Sequence, residues 1–363
     1  MRVLVVTVVH TPLDARIHRR QIGAMVDAGW SVTYAAPWRA TDTPRTAAGE
    51  GVRTLEVPRA VGRRRLRALR AARRTIARQA PRHDLVLLHD PELVLALGRR
   101  GPPVVLDVHE DLAASLVDRP WVPRPLRPLV AAFARLLERT AERRLHLLLA
   151  EEAYADRFRR AHPVVRNLPP LPPPPPPPGR ERVVYVGRVS RLRGVGELLG
   201  LARQLADDGV RVEVVGRADE DVRGDLAAAH ADGLITWHGW LPNDEALALL
   251  RGALAGLSLL HDLPNYRSSL PTKVVEYLAA GIPAITTPLP AAVRLVQEAD
   301  AGVVVGFGDV EAAAAAIRQL RADPQRTAAM GRRGRELVAR DWTWDAEREV
   351  FLDALRTAAG SPT

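Results

Sequence analysis

The chain has 363 residues, of which 47% are hydrophobic and 26% charged, with a formal net charge of +10 and no cysteine. That length predicts two or three domains able to bury large cores. The composition excludes disulfides, thiolate metal sites and cysteine nucleophiles, and no run approaches the roughly 18 apolar residues of a membrane span.

Short apolar runs alternate with amphipathic stretches, which is the βαβ pattern. The first run, residues 2–9, reads as a buried strand rather than a signal peptide, because it is brief and no small-residue cleavage site precedes the charged segment 14–20. Further strands are expected at 31–36, 52–57, 84–89, 103–108 and 145–150. Several are apolar on both faces, as a parallel sheet covered by helices requires. Residues 167–180, NLPPLPPPPPPPGR, contain seven consecutive prolines. They form neither helix nor central strand and read as a stiff polyproline II linker, the alternative being a ligand for proline-binding domains. A second series of strands is expected at 182–187, 211–216, 234–238, 256–261, 283–286 and 302–305, followed by helices near 325–340 and 344–359. The last helix puts Trp344, Phe351 and Leu355 on one face, so it packs on a domain. The expected architecture is α/β: two doubly wound parallel-sheet domains with a cleft between them. The first spans 1–168 and the second 181–342. The linker occupies 169–180, and the helix at 343–363 packs back on the first domain.

Charge is uneven along the chain. Residues 1–168 carry 30 arginines against 17 acids, a net +13, while the remainder is −3. Residues 59–82 hold ten arginines and no acid. Such an excess invites a nucleic-acid partner, but aromatics are only 4%, none interleaves with the arginine run, and no nucleic-acid module is present. An anionic membrane surface is the better match. The plain alternative is a solvated helix. Residues 125–145 repeat Leu126, Leu129, Val130, Phe133, Leu136 and Leu137 at helical spacing, with Trp121 ahead of them. Core packing is the commoner reason for such a stripe; peripheral membrane docking is the other.

Chemistry concentrates in the second half. In YVGRVSRLRGVGELL a strand ends at Gly187, a loop carries Arg188 and Arg193, and Gly194 precedes a helix. Open α/β sheets bind ligands beyond the carboxyl ends of their strands, so two guanidiniums beside a helix start read as a diphosphate clamp, the alternative being arginines on a solvated loop. Gly216 ends the next strand, where a missing side chain admits a ligand. Trp240, after another strand, either faces a nucleobase or packs at a rim. Residues 270–287, LPTKVVEYLAAGIPAITT, carry Lys273, the one lysine of the chain, and Glu276 at a helix start. That layout suits an anionic ligand bearing a hydroxylated ring; the plain reading is a helix with proline in its first turn and Gly281 at its end.

GRVSRLRG, WHGWLPNDEALALL and LPTKVVEYLAAGIPAITT, in that order, resemble glycosyltransferase family 4, the group 1 glycosyltransferases of GT-B architecture. DARIHRRQIGAMVDAGWSV, LHDPELVLAL and LDVHEDL agree more loosely in the first half. The resemblance implies two Rossmann-like domains facing across a cleft and retaining, metal-independent transfer from a nucleotide sugar to a hydroxyl. It assigns Arg188 and Arg193 to the donor diphosphate and Glu276 to the ribose. Ser269, Leu270 and Thr272 flank the phosphate, Lys273 adds charge, and Trp240 with Leu241 lies on the base-contacting stretch. His109 touches the donor sugar across the cleft. Ser268 stands where the family's E-x7-E motif has its first glutamate, and Arg193 where it has a lysine. His10, Asp14 and Arg16 fall on the acceptor side, with HTPLDAR replacing the family's glycine-rich loop. The implied donor is of UDP or GDP type and the acceptor a glycan, a lipid-linked molecule or a small metabolite; neither cofactor nor metal is implied. The implied location is cytoplasmic, with docking on the inner membrane face permitted. Rival readings are a nucleotide-sugar 2-epimerase, a phosphorylase with pyridoxal phosphate on Lys273, and a basic nucleic-acid-binding protein.

Overall fold

Strands form where the chain is apolar on both faces, and all twelve expected strands are present. The computed structural model describes residues 1–98, 100–109, 124–267 and 269–360. It divides into two units: Met1–Asn167 with the residues from Asp345 onward, and Leu168–Trp344.

In the first unit, β1 (Arg2–Val6), β2 (Ser31–Ala36), β3 (Val52–Glu56), β4 (Leu85–Leu88), β5 (Val104–Val108) and β6 (His146–Leu149) form one parallel sheet in the order β3-β2-β1-β4-β5-β6. The strands of the middle, β1 and β4, are buried almost throughout, and the edge strand β3 is not. A π-helical turn, Ala15–Ile22, runs into the short helix α1 (Gly23–Asp27). Helix α2 (Arg65–Gln79) buries only Ala68, Ala72 and Ile76, one narrow stripe at four-residue spacing, and leaves its arginines to water. Helix α3 (Arg127–Arg144) packs through Ala134, Leu137 and Ala141. The expected core stripe is therefore displaced: Leu137 is buried and Val130 half-buried, while Leu126, Leu129, Phe133 and Leu136 are exposed. Small alanines let α3 approach the sheet on the other side. Trp121 lies outside the described residues.

In the second unit, β7 (Arg182–Val186), β8 (Arg211–Val215), β9 (Thr236–Trp237), β10 (Ala255–Ser258), β11 (Ala284–Thr286) and β12 (Gly302–Val304) pair in parallel in the order β12-β11-β10-β7-β8-β9. Counted from its own first strand, this order repeats that of the first sheet. Helices α4 (Val195–Leu205), α5 (Glu220–Ala231), α6 (Asn243–Ala248), α7 (Pro264–Arg267), α8 (Thr272–Ala279), α9 (Pro290–Glu298), α10 (Val310–Ala322) and α11 (Pro324–Asp341) cover it. Two cores result, one gathering α4, α5 and α10 and the other α8, α9 and α11. The last helix, α12 (Trp344–Ala358), buries Phe351, Leu352 and Leu355 and belongs almost wholly to the first unit. There Arg166 donates from its backbone amide to Glu347 at 2.8 Å and from Nε at 2.7 Å.

The proline segment is laid along the second unit. Proline carbonyls have no neighbouring amide to accept from, and arginines serve instead: Arg335 donates to Pro172 O at 2.7 Å and Arg251 to Pro174 O at 3.4 Å. Gly179 N donates to Gly252 O at 3.2 Å. Gly281, at φ +70°, leaves the space that Pro175 occupies.

Gly256 in β10 shows how tightly the second sheet is covered. A Cβ there would run into the ring of Tyr277, whose hydroxyl donates to Leu257 O at 2.9 Å and accepts from Val186 N at 3.1 Å. Gly256→Ala should therefore cost about 1–3 kcal/mol of stability, read as a lower midpoint in urea unfolding of the full chain.

Candidate active site

Both sheets reverse their strand order at one point, between β1 and β4 and between β7 and β10, and beyond the carboxyl ends of such strands an open α/β sheet leaves a crevice. The residues with chemical potential collect at these two places.

In the second unit β7 is followed at once by Gly187, whose φ of +128° is closed to other residues. Gly216, at φ +139°, directly follows β8; a Cβ on it would collide with Gly187 O. The two glycines thus bring two strand ends into backbone contact. The loop then crosses the switch point. His261 N donates to Leu192 O at 3.1 Å, and Gly194, at φ +87°, lies so close to Leu259 O that only glycine fits before α4. Arg188 is exposed and paired with Asp219, at 2.7 and 2.9 Å. Arg193 sits over the Tyr266 ring, 5.8 Å from its centroid.

Lys273 occupies the first turn of α8, behind Pro271. Its amine is buried and has no hydrogen-bond partner among the described residues. It lies 3.6 Å from the centroid of the Tyr185 ring, under the place where a Gly187 side chain would be. Burial, then the nearby Arg193, hold this amine well below the usual lysine value, against the pull of Glu276. No ion pair to Lys273 forms among the described residues, and no side chain caps the start of α8.

The neighbours of Lys273 are placed as follows. Leu270 is buried, Thr272 opens the helix, and the Ser269 hydroxyl donates to Asn265 O at 3.0 Å. Glu276, one turn on, lines a cavity of about 350 Å³ that α6 and the proline segment also enclose. Leu241 packs on the adjoining core, and Trp240 is 70% exposed, free to meet a flat ligand. Ser268 lies outside the described residues. Reading the sequence for chemistry missed Tyr185, Tyr266 and Asp219; aromatic residues at a strand end and beside a helix gave no signal of what they would face.

In the first unit the switch point holds a histidine and carboxylate network. Asp90 accepts from Val8 N at 2.5 Å, Thr7 Oγ1 at 3.0 Å and Val9 N at 3.3 Å, which is why β1 ends earlier than the apolar run suggests. Asp14 caps the π-helical turn, accepting from Arg16 N and Ile17 N. Arg16 itself is buried. It grips Asp107 at 2.8 and 2.6 Å and donates to Val165 O at 3.0 Å, so its guanidinium serves the core of this unit rather than a surface. Burial would raise the Asp107 carboxyl, but Arg16 holds it well below the usual carboxylate range.

His109 stands at the end of β5. Its Nδ1 lies 3.1 Å from Asp107 O, so that nitrogen carries the proton and Nε2 accepts from His10 Nε2 at 2.9 Å. His10 is flanked by Asp90 Oδ1 at 3.5 Å and Asp14 Oδ2 at 3.8 Å. His89, wholly buried, has Nδ1 3.2 Å from Asp107 Oδ2. Among the described residues, His89, Asp107 and His109 bring ligand atoms within 4.8 Å of one another. With a guanidinium already bidentate on that carboxylate, a dication would meet a positive charge, so the set suits an ion-pair core better than a metal.

Two family models match the chain. One, described as glycosyl transferases group 1, covers residues 172–337; the other, a glycosyl transferase 4-like domain, covers 15–169. The chain belongs to the group 1 glycosyltransferases. Among relatives, glycogen synthase of Mycobacterium tuberculosis is 28% identical over 186 residues, 49% of this chain and 44% of that one. D-inositol 3-phosphate glycosyltransferase of Segniliparus rotundus is 29% identical over 185 residues, 48% and 40% of the two chains. The match thus spans less than half the length of these curated relatives. The fold is that of solved GT-B glycosyltransferases. Sucrose-phosphate synthase of Thermosynechococcus elongatus superposes with a TM-score of 0.74 at 18% identity, covering 98% of both chains. HepE of Anabaena, in complex with UDP-glucose, gives 0.73 at 15% identity over 98% and 100%.

Burial, opposed by Asp107 and reinforced by His10, takes His109 of this group 1 glycosyltransferase from its ordinary 6.5 down to about 4. A folded value below the unfolded one means the unfolded chain binds more protons at mildly acid pH, so this contribution to stability is present above 6.5 and is lost as pH falls towards 4. Urea unfolding across that range should show wild type losing more stability than His109→Gln. Equal losses would contradict the assignment.

Proposed function

We propose that the chain transfers a sugar, with retention and without a metal, from a nucleoside diphosphate donor of UDP or GDP type to a hydroxyl acceptor. One observation carries this reading: Lys273 is a buried amine without a hydrogen-bond partner among the described residues, at the start of α8 and under a glycine strand end. Burial disfavours the charged form of this amine, and a neighbouring diphosphate would favour it. HepE, solved with UDP and with UDP-glucose, and a GDP-mannose-dependent mannosyltransferase of Mycobacterium tuberculosis, 38% identical over 82 residues that make up 23% of this chain and 21% of that one, support the donor class.

In this reading the diphosphate lies between Lys273, the helix start and Arg193. As the sugar leaves, charge grows on the phosphate oxygens, and fixed cations stabilise it there with little reorganisation. Arg188, held by Asp219, contributes from the rim. Glu276 takes the ribose hydroxyls, and Trp240 with Leu241 the base. The acceptor hydroxyl attacks the face from which the phosphate departs and passes its proton to that phosphate. The acceptor is a glycan, a lipid-linked molecule or a small metabolite.

Two measurements test the donor site. Glu276→Ala should weaken nucleotide affinity by about 1.5–3 kcal/mol, the worth of hydrogen bonds to a charged group, with the fold intact; an unchanged affinity removes Glu276 from the site. A diphosphate beside Lys273 should also favour its charged form, opposing the effect of burial. Proton uptake on binding UDP or GDP, read from how the calorimetric enthalpy varies with the ionisation heat of the buffer, should appear in the pH range between the lowered free value and the raised bound one, and be smaller in Lys273→Met. The same proton count in both proteins would contradict the reading.

A further inference from the structure

The outer face of the first unit has a composition that neither sheet nor site explains. Ala68, Ala72 and Ile76 of α2, Leu93 and Val94 of the 3-10 turn Pro91–Ala96, and Leu137 and Ala141 of α3 enter one core with Leu4, Val86, Leu106 and Leu147 of the sheet. The two helices and the turn are therefore one layer, and their opposite sides form one outer surface. Of the twelve large apolar side chains exposed among the described residues, six lie on these segments: Leu66, Leu95, Leu126, Leu129, Phe133 and Leu136. Leu129 and Leu136 are 68% and 61% exposed, and Phe133 57%. Leu126, Leu129, Phe133 and Leu136 follow one another at three, four and three residues, which is one side of a helix.

Arginines surround them. Arg67, Arg70, Arg73, Arg74 and Arg78 of α2 are exposed without an acidic partner among the described residues, and Arg135, Arg139 and Arg143 line α3 beside the apolar stripe. The acids of these segments are engaged: Glu92 with Arg65 at 3.2 Å, Glu138 with Arg157, and Glu142 with the amides of Arg159 and Arg160. A second copy would set arginines against arginines. A nucleic acid has no use for a row of leucines. No described helix is long and apolar enough to cross a membrane.

We propose that this face docks on an anionic lipid surface, with Leu129, Phe133 and Leu136 among the upper acyl chains and the arginines of α2 and α3 at the lipid phosphates. The full chain should co-sediment with phosphatidylcholine vesicles doped with phosphatidylglycerol, less so as salt rises, and far less with phosphatidylcholine alone. Leu129→Ser with Phe133→Ser should lower the partition coefficient by about tenfold or more. Arg67→Ser with Arg70→Ser and Arg74→Ser should lower it comparably. Nucleotide affinity, unchanged in both variants, confirms the fold and separates this proposal from the donor-site reading. Three results would overturn it: no vesicle binding at low salt; binding indifferent to the Leu129 and Phe133 changes; or sedimentation velocity showing a self-associated protein that those changes make monomeric.

Discussion

An amine removed from water without a hydrogen-bond acceptor is an expensive arrangement, and a fold keeps it only where surrounding structure enforces it. Lys273 is held by the start of α8, the Tyr185 ring and the glycine strand ends of β7 and β8. Aromatic contact replaces part of its lost hydration, and Arg193 nearby makes its charged form less favourable still. Each feature is stabilised by an anion and is otherwise a liability. Gly194 and Gly216 are required by close backbone approaches, and Gly187, at φ +128°, stands against the amine where a side chain would touch it.

The first unit has its own arrangement of charge. Arg16, Asp107, Asp90 and the histidines gather at the switch point of the sheet, with the arginine and both carboxylates buried and the arginine paired to Asp107, while one nitrogen of Arg16 and the ring nitrogens of His89 lack hydrogen-bond partners among the described residues. Hydrogen bonds of charged groups fix their geometry closely. The outcome is a contacting pair, His10 and His109, both mostly buried, with the His109 tautomer defined. The two units thus use the same strand order for different purposes, one leaving a buried amine without a hydrogen-bond partner among the described residues and the other joining its histidines and carboxylates to one another.

Much of this was legible in the chain. Period and apolarity located every strand, because parallel strands covered on both faces leave an unambiguous signal. Gly187 and Gly216 mark strand ends and Gly194 the start of α4, as their positive φ values require. Strand ends were read too long where polar contacts end a ladder early, as Asp90 does to Val8 and Val9. Arg16 and Asp107 lie 91 residues apart, so no local pattern could show that Arg16 is committed to the core. The stripe on α3 has two apolar sides, and periodicity alone does not say which is covered; Ala134 and Ala141 decide it by allowing closer approach. The proline run read as a spacer, yet its carbonyls are bound by Arg251 and Arg335, partners remote in sequence.

What binds beside Lys273 decides the role of the second unit. A crystal structure of the protein grown with a nucleoside diphosphate sugar tests this directly. Diphosphate oxygens should lie within hydrogen-bonding distance of Lys273 Nζ and of the amides at the start of α8. A nucleotide bound elsewhere, with the amine still against Tyr185 and without an anion, would contradict it.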